Sequence, residues 1–173
     1  SATIWAHLLR IVDFFEANLG AHGLPLTHKG DWNDSIGKFS KGGRGESVFA
    51  AQQYALVLRL LAELARARND TSTANRLEGL RAKQITAITA HAWDGAWWRR
   101  AFDDDGNAIG TAAAPFGRIW LNSQSWSVLA GVGSIEQNRR AMDAVAEFLD
   151  TGICGLKKLH PSYQSFPTVQ DPY

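Results

Sequence analysis

Lys29-Gly30-Asp31-Trp32-Asn33-Asp34-Ser35, followed closely by Lys41-Gly42-Gly43-Arg44-Gly45-Glu46-Ser47, is the stretch around which the chain is organised. It does not alternate as a strand would, and its glycines count against a helix, so it reads as an irregular loop between helices. Asp31, Asn33 and Asp34 offer hydrogen-bond partners to hydroxyl groups, and Trp32 offers a flat apolar face that can stack on a sugar ring. That set suits carbohydrate better than phosphate or a metal ion. The competing reading is a turn in which Asp and Asn cap backbone amides.

On the N-terminal side, Ile4, Leu8, Ile11, Val12, Phe15 and Leu19 recur at three- and four-residue spacing. The spacing predicts an amphipathic helix over 3–19, ended by Gly20 and Gly23-Leu24-Pro25. On the C-terminal side, Glu46-Ser47 opens a second helix whose stripe of Val48, Ala51, Ala55, Leu58, Leu61, Ala62 and Ala65 reaches about Arg68. Asn69-Asp70-Thr71-Ser72 caps a third, running through Leu77, Leu80, Gln84, Ile88 and His91 to about Ala92. Trp97 to Phe102 and Ala108 to Gly110 read as two short strands about an Asp-Gly turn. The acidic triplet Asp103-Asp104-Asp105 lacks the spacing and closing Glu of a calcium loop, so no metal is expected. A short helix over 123–130, capped by Asn122 or Ser123, then precedes one over 134–149 with Ser134 and Gln137 in capping-box positions. Loop is expected after Gly152. The sum is an all-α chain of paired helices with one small β-hairpin insertion and a cleft formed by its longest loops.

The 173 residues, 45% hydrophobic, suffice for one domain with a sizeable core. Eighteen basic and seventeen acidic residues are scattered along the chain and leave a formal charge of +1, so no basic face is offered to nucleic acid. The single Cys154 allows no internal disulfide and no multi-cysteine zinc site, and a cytoplasmic location is the expectation. No membrane span or signal peptide is read from the apolar pattern. Seven Trp, clustered at Trp93, Trp97 and Trp98 and again at Trp120 and Trp126, are a habit of sugar-binding clefts, although buried filler accounts for them equally well.

Gly30-Asp31-Trp32-Asn33-Asp34 with Gly43-Arg44-Gly45-Glu46-Ser47 resembles the core of the cellobiose and chitobiose phosphorylase family, glycoside hydrolase family 94, which includes the phosphorylase module of cyclic β-1,2-glucan synthases. Further matches are Trp93-Asp94-Gly95, Trp97, Arg99-Arg100-Ala101-Phe102, Gly117-Arg118-Ile119 and Leu121-Asn122-Ser123-Gln124-Ser125-Trp126. Gly155-Leu156, His160-Pro161-Ser162-Tyr163 and Asp171-Pro172-Tyr173 complete the family's order over nearly the whole chain.

The resemblance implies part of an (α/α)6 barrel, with residues 1–173 a single partial catalytic domain truncated at both ends. It implies a glycosyltransferase-type phosphorylase that cleaves a β-linked gluco-disaccharide or oligosaccharide with inversion, giving an α-sugar 1-phosphate. Carbohydrate and inorganic phosphate would be its partners, with no other cofactor, no nucleic acid and no membrane, and with room for a homodimer at full length. By match to the motif, Asp34 is the candidate general acid, Trp32 and Asn33 line the donor-sugar subsite, and Asp31 orients the loop or binds a hydroxyl. The reverse assignment has Asp31 as acid and Asp34 as a structural cap. Arg118, Gln124 and Trp126 are read either as cleft residues or as support for the short helix, and Glu46 as a cap or loop anchor. Arg44 either reaches phosphate or forms a structural pair.

Two stretches depart from the family pattern, Ser35-Ile36-Gly37 after the motif and Ser162 in place of a proline. The family's phosphate-contacting positions fall beyond Tyr173, so the isolated stretch is expected to be inactive. Two rivals remain: an (α/α)6 hydrolase, which needs a second carboxylate as base, and a non-catalytic carbohydrate-binding module of a glucan synthase.

Overall fold

The computed structural model describes residues 2–28 and 30–163, apart from the side chains of Asp34 and Ser35. Thr3 accepts the Ala6 amide at 3.2 Å and starts α1 (Ile4–Ala17). Ser47, extended in backbone, accepts the Ala50 amide and starts α2 (Val48–Ala67), and Asp70 does the same through Thr73 for α3 (Thr71–Ala92). α4 (Leu121–Ala130) ends on Gly131 at φ 64°, a left-handed position that glycine adopts freely. α5 (Ile135–Phe148) opens with the expected capping box, in which Ser134 and Gln137 satisfy each other's amides.

The helices follow the apolar periodicity to within about two residues, so the all-α reading holds. α2 and α3 lie against each other and bury Leu58, Leu61, Ala62, Ala65, Ala74 and Leu77, while α1 covers one end through Val12. Phe15 stacks on Tyr54 at 4.5 Å, and the Tyr54 hydroxyl donates to Glu16. A second cluster joins α2, α4 and α5 around Trp97 and Trp98. α2 is long and apolar enough by composition to cross a membrane, as a core helix also can be, and 56% of its most apolar window is buried inside the protein. The five helices are not six pairs, and a closed (α/α)6 ring is not formed within the described residues.

Four details differ from expectation. The loop after Asn33 is a 3₁₀ helix over Asp34–Ser40. The hairpin of β2 (Ala101–Phe102) and β3 (Ala108–Ile109) gains a third antiparallel strand, β1 (Glu46–Ser47). The segment after Gly152 contributes β5 (Leu159–His160), paired with β4 (Ile119–Trp120). α4 starts at Leu121 without a side-chain cap, because β4 leads straight into it and the Leu121 amide donates instead to the Lys158 carbonyl at 3.0 Å. Two-residue strands carry too little alternation to be read from a sequence. Residues 164–173, including Asp171-Pro172-Tyr173, lie outside the described residues.

The capping box gives a stability test. Ser134→Ala should cost about 1 kcal/mol in urea denaturation. Gly133→Ala should cost more, because Gly133 sits at φ 77° and a Cβ there would lie 2.3 Å from Trp98 Cζ2.

Candidate functional site

Trp98, Arg100 and Phe102 are buried at alternate positions, so this extended segment carries a guanidinium into the interior. Arg100 has 0% side-chain exposure and Asp31 has 4%. Arg100 Nη2 donates to Asp31 Oδ1, and its Nη1 donates to Ser47 Oγ at 3.2 Å. The Ser47 hydroxyl in turn donates to Asp31 Oδ2 at 3.1 Å while accepting the Ala50 amide. One hydroxyl therefore uses its donor and both lone pairs to tie the loop to the sheet and the start of α2. The Asn33 amide donates to Asp31 Oδ1 at 2.9 Å, which bends the chain just before Asp34. The Phe49 and Trp120 rings lie 5.2 and 5.8 Å from the Arg100 guanidinium carbon. Burial lowers the pKa of Arg100, and the charge and hydrogen bond of Asp31 oppose that shift.

The 3₁₀ helix is held from below. Ile36, 1% exposed, and Phe39 pack on Ala101, Ile109 and Trp120. Its far end is fastened by Asp104, whose carboxylate accepts the amides of Gly42, Arg44 and Gly45 at 2.5, 2.7 and 3.0 Å. Glu46, 2% exposed, accepts the amides of His22 and Leu24 and meets His22 Nδ1 at 2.5 Å. It anchors the loop rather than capping α2, which is the work of Ser47. Arg44 donates Nε to the Asp104 carbonyl and pairs with Asp105 at 3.6 Å.

This scaffold displays Trp32, which is 69% exposed. Its ring meets Phe49 edge-on at 6.3 Å, and Phe49 meets Trp126 at 5.7 Å. Trp32 walls a cleft of about 230 Å³ with Leu121, Asn122, Ser125, Leu156 and Lys158. Lys158 Nζ donates to Asn33 Oδ1 at 3.3 Å, linking that wall to the motif loop.

The structure thus brings Asp31, Trp32 and Asn33 together, with Trp126 joined to them through Phe49. Asp34 begins the 3₁₀ helix beside them. Arg118 and Gln124 do not line the cleft. Gln124 is wholly buried, donates to the Trp98 and Trp120 carbonyls and accepts the Trp98 amide. Arg118 donates to the Ala112 carbonyl and lies 6.0 Å from the Trp97 ring. The sequence reading gave no role to Arg100, Phe49 or Lys158. A charged residue at an inward position between Trp98 and Phe102 was a usable sign for Arg100, whereas Lys158 lies 125 residues from Asn33 and carried none.

The loop is fastened at both ends on a helical scaffold, and it sets an exposed indole beside a small, mainly apolar cleft, an arrangement compatible with stacking on a sugar ring. The model of the Glycosyl hydrolase 94 superfamily, catalytic domain, matches residues 1–169, and the chain belongs to that family. It is 36% identical to solabiose phosphorylase of Paenibacillus borealis over 96% of this chain and 22% of that protein. It is also 36% identical to the cyclic beta-(1,2)-glucan synthase NdvB of Rhizobium meliloti (strain 1021), over 98% of this chain and 6% of that protein. N,N'-diacetylchitobiose phosphorylase of Vibrio furnissii is 31% identical over 98% of this chain and 20% of that protein. The chain therefore spans about a fifth of the length of these phosphorylases.

Two predictions follow from the anchors. Arg100→Met leaves the Asp31 carboxylate buried without its partner and should cost about 3–5 kcal/mol, and adding Asp31→Leu should recover part of that loss in urea titrations. For Asp104, burial acts to raise the carboxyl pKa, but the three amides and then Arg44 hold it below the ordinary value of 3.8. A depressed carboxyl stabilises the fold above its unfolded pKa, and that stabilisation fades as pH falls from 3.8 through the lower folded value. Urea midpoints of wild type and Asp104→Asn should therefore differ at neutral pH and converge in that acidic window.

Proposed function

We propose that the protein carrying this chain is an inverting glycoside phosphorylase acting on a β-linked gluco-disaccharide or oligosaccharide. Its catalytic domain is an (α/α)6 barrel, of which these helices form one part. The exposed apolar faces of α1, α2 and α4, carrying Phe14, Leu60, Leu64, Val128 and Leu129, support the packing of further helices on them. Relatives whose names specify phosphorylases of solabiose, N,N'-diacetylchitobiose and cellobionic acid support phosphorolysis as the reaction class.

In this reading Asp34 gives its proton to the glycosidic oxygen as the bond to the anomeric carbon breaks. A phosphate oxygen bonds to that carbon from the opposite face. The products are an α-sugar 1-phosphate and an acceptor with a free hydroxyl, and the Asp34 carboxylate regains its proton from solvent. Trp32 and Asn33 hold the donor sugar, and Asp31 holds the loop.

The observation that carries this reading is the commitment of the surrounding carboxylates. Asp31 is bound to Arg100 and Ser47, Glu46 to His22 and two amides, and Asp104 to three amides. None of these three is free to activate water, as an inverting hydrolase requires, while phosphate is already an anionic nucleophile and needs no such base.

The test uses the full-length protein with β-linked glucose disaccharides. Sugar 1-phosphate should form only when inorganic phosphate is present, and Asp34→Asn should lower its formation by about 10³-fold. Release of free sugar at an equal rate without phosphate would instead indicate a hydrolase. The isolated 173-residue chain should show no turnover.

A further inference from the structure

We propose that Lys158 is a positioning residue that locks the side-chain amide of Asn33 in one orientation, so that Asn33 meets the donor sugar as a hydrogen-bond donor through Nδ2. The proposal rests on the reading that Asn33 holds the donor sugar, and it adds which half of the amide does so and what sets it. The contact that carries it is Lys158 Nζ donating to Asn33 Oδ1 at 3.3 Å. An ammonium has three donors and no acceptor, so the atom it faces must be the amide oxygen. Turning the amide over would set an NH2 group against that ammonium. Asn33 is only 5% exposed, so water does not readily replace the lost bond.

Asn33 stands at the N-cap of the 3₁₀ helix, where an Asn oxygen ordinarily accepts a backbone amide of the first turn. It makes no such bond here. The oxygen is given to Lys158 instead, and Nδ2 has no partner among the described residues. A donor left unpartnered on so buried a side chain is costly unless a ligand takes it up. Both ends of the contact are held through the backbone. The Asn33 amide donates to Asp31 Oδ1 at 2.9 Å, and the Asn33 carbonyl accepts the Ile36 amide at 2.8 Å. The Lys158 carbonyl accepts the Leu121 amide at 3.0 Å, and the next residue begins β5, which pairs with β4. Lys158 and Trp32 both line the cleft, so the Asn33 amide is fixed at the wall against which a stacked ring would lie. Asn122, also in the lining, shows the same division: its Oδ1 accepts the Ser123 amide at 3.0 Å, and its Nδ2 has no partner among the described residues. A neutral sugar, whose hydroxyl oxygens accept hydrogen bonds, suits both amides.

The test measures binding of methyl β-D-glucoside and its monodeoxy and monodeoxyfluoro analogues to the full-length protein by calorimetry, with phosphate-dependent release of sugar 1-phosphate followed in parallel. At one ring position, removing the hydroxyl should weaken wild-type binding about 3- to 10-fold, and fluorine there should restore part of the loss, because it can accept a hydrogen bond but not donate one. Lys158→Met should shrink that penalty below about twofold, Lys158→Arg should keep it, and Asn33→Asp, which keeps the oxygen and removes the donor, should abolish it. Lys158 is exposed, so urea midpoints of its variants should stay close to wild type. A merely structural role would move the midpoint and leave the ratio between parent and deoxy sugar unchanged. A penalty that survives Lys158→Met, or that Asn33→Asp leaves intact, overturns the proposal, and sugar 1-phosphate formed by the same preparation leaves the phosphorylase reading standing. Glucoside binding that no single deoxygenation weakens overturns it as well. Absence of glucoside binding, with or without inorganic phosphate, removes the sugar reading of Asn33 and the proposal with it.

Discussion

A guanidinium with no exposure to solvent is costly to bury, and the site exists because Arg100 is buried with its partners already in place. Desolvation of the two charges is offset only when geometry and hydrogen bonding are both good. Here the charge of Asp31, the Ser47 hydroxyl and two aromatic rings meet that condition together. The three anchor points belong to different parts of the chain: the residue just before β2, the start of α2 and the motif loop. A displacement of any one leaves a buried charge unmatched, so the pair acts as a registry device for the loop. The short sheet serves the same end, since the Val48 amide donates to the Arg100 carbonyl and fixes the height at which the guanidinium enters.

This constraint separates the acidic residues of the motif region by role. In the sequence Asp31 could be read as acid or loop support, Glu46 as a cap or loop anchor, and Asp104 as part of a turn. The structure commits each to backbone amides or to a buried partner, and all three of these interactions fix the same loop at different points. Loop rigidity has a chemical use. A proton donor gains most when its position relative to the reacting oxygen is set before substrate arrives, because ordering it during the reaction would add to the barrier. The Ile36 plug under the 3₁₀ helix contributes to this, since a loop with its own apolar anchor does not need substrate to order it.

The helices were legible because their signal is local: a 3.6-residue stripe and a capping residue at each start. Ser134 and Gln137 are the clearest case, with both halves of the capping box readable from two letters three residues apart. The family of the motif loop was legible from its residue types. Its shape was not, since a 3₁₀ helix starting at Asp34 depends on Ile36 finding Trp120 and Ile109, about seventy to eighty residues away. Gln124 shows the opposite failure. A polar residue in a Trp-rich motif invites a ligand role, yet its amide is spent on the Trp98 and Trp120 backbone, which strands of two residues leave incompletely paired.

Trp32 is the residue where these threads meet. An indole 69% exposed forgoes most of the burial that makes tryptophan stabilising, and an unconstrained loop would be expected to fold it inward. It stays outside because its neighbours are fixed: Asp31 is locked to Arg100, the Asn33 amide to Asp31, and Phe49, the nearest apolar partner, already lies against Arg100 and Trp126. The buried ion pair therefore does more than hold a loop in register. It keeps an apolar face exposed beside the cleft, and the apolar area left unburied there is what a stacking sugar ring would cover.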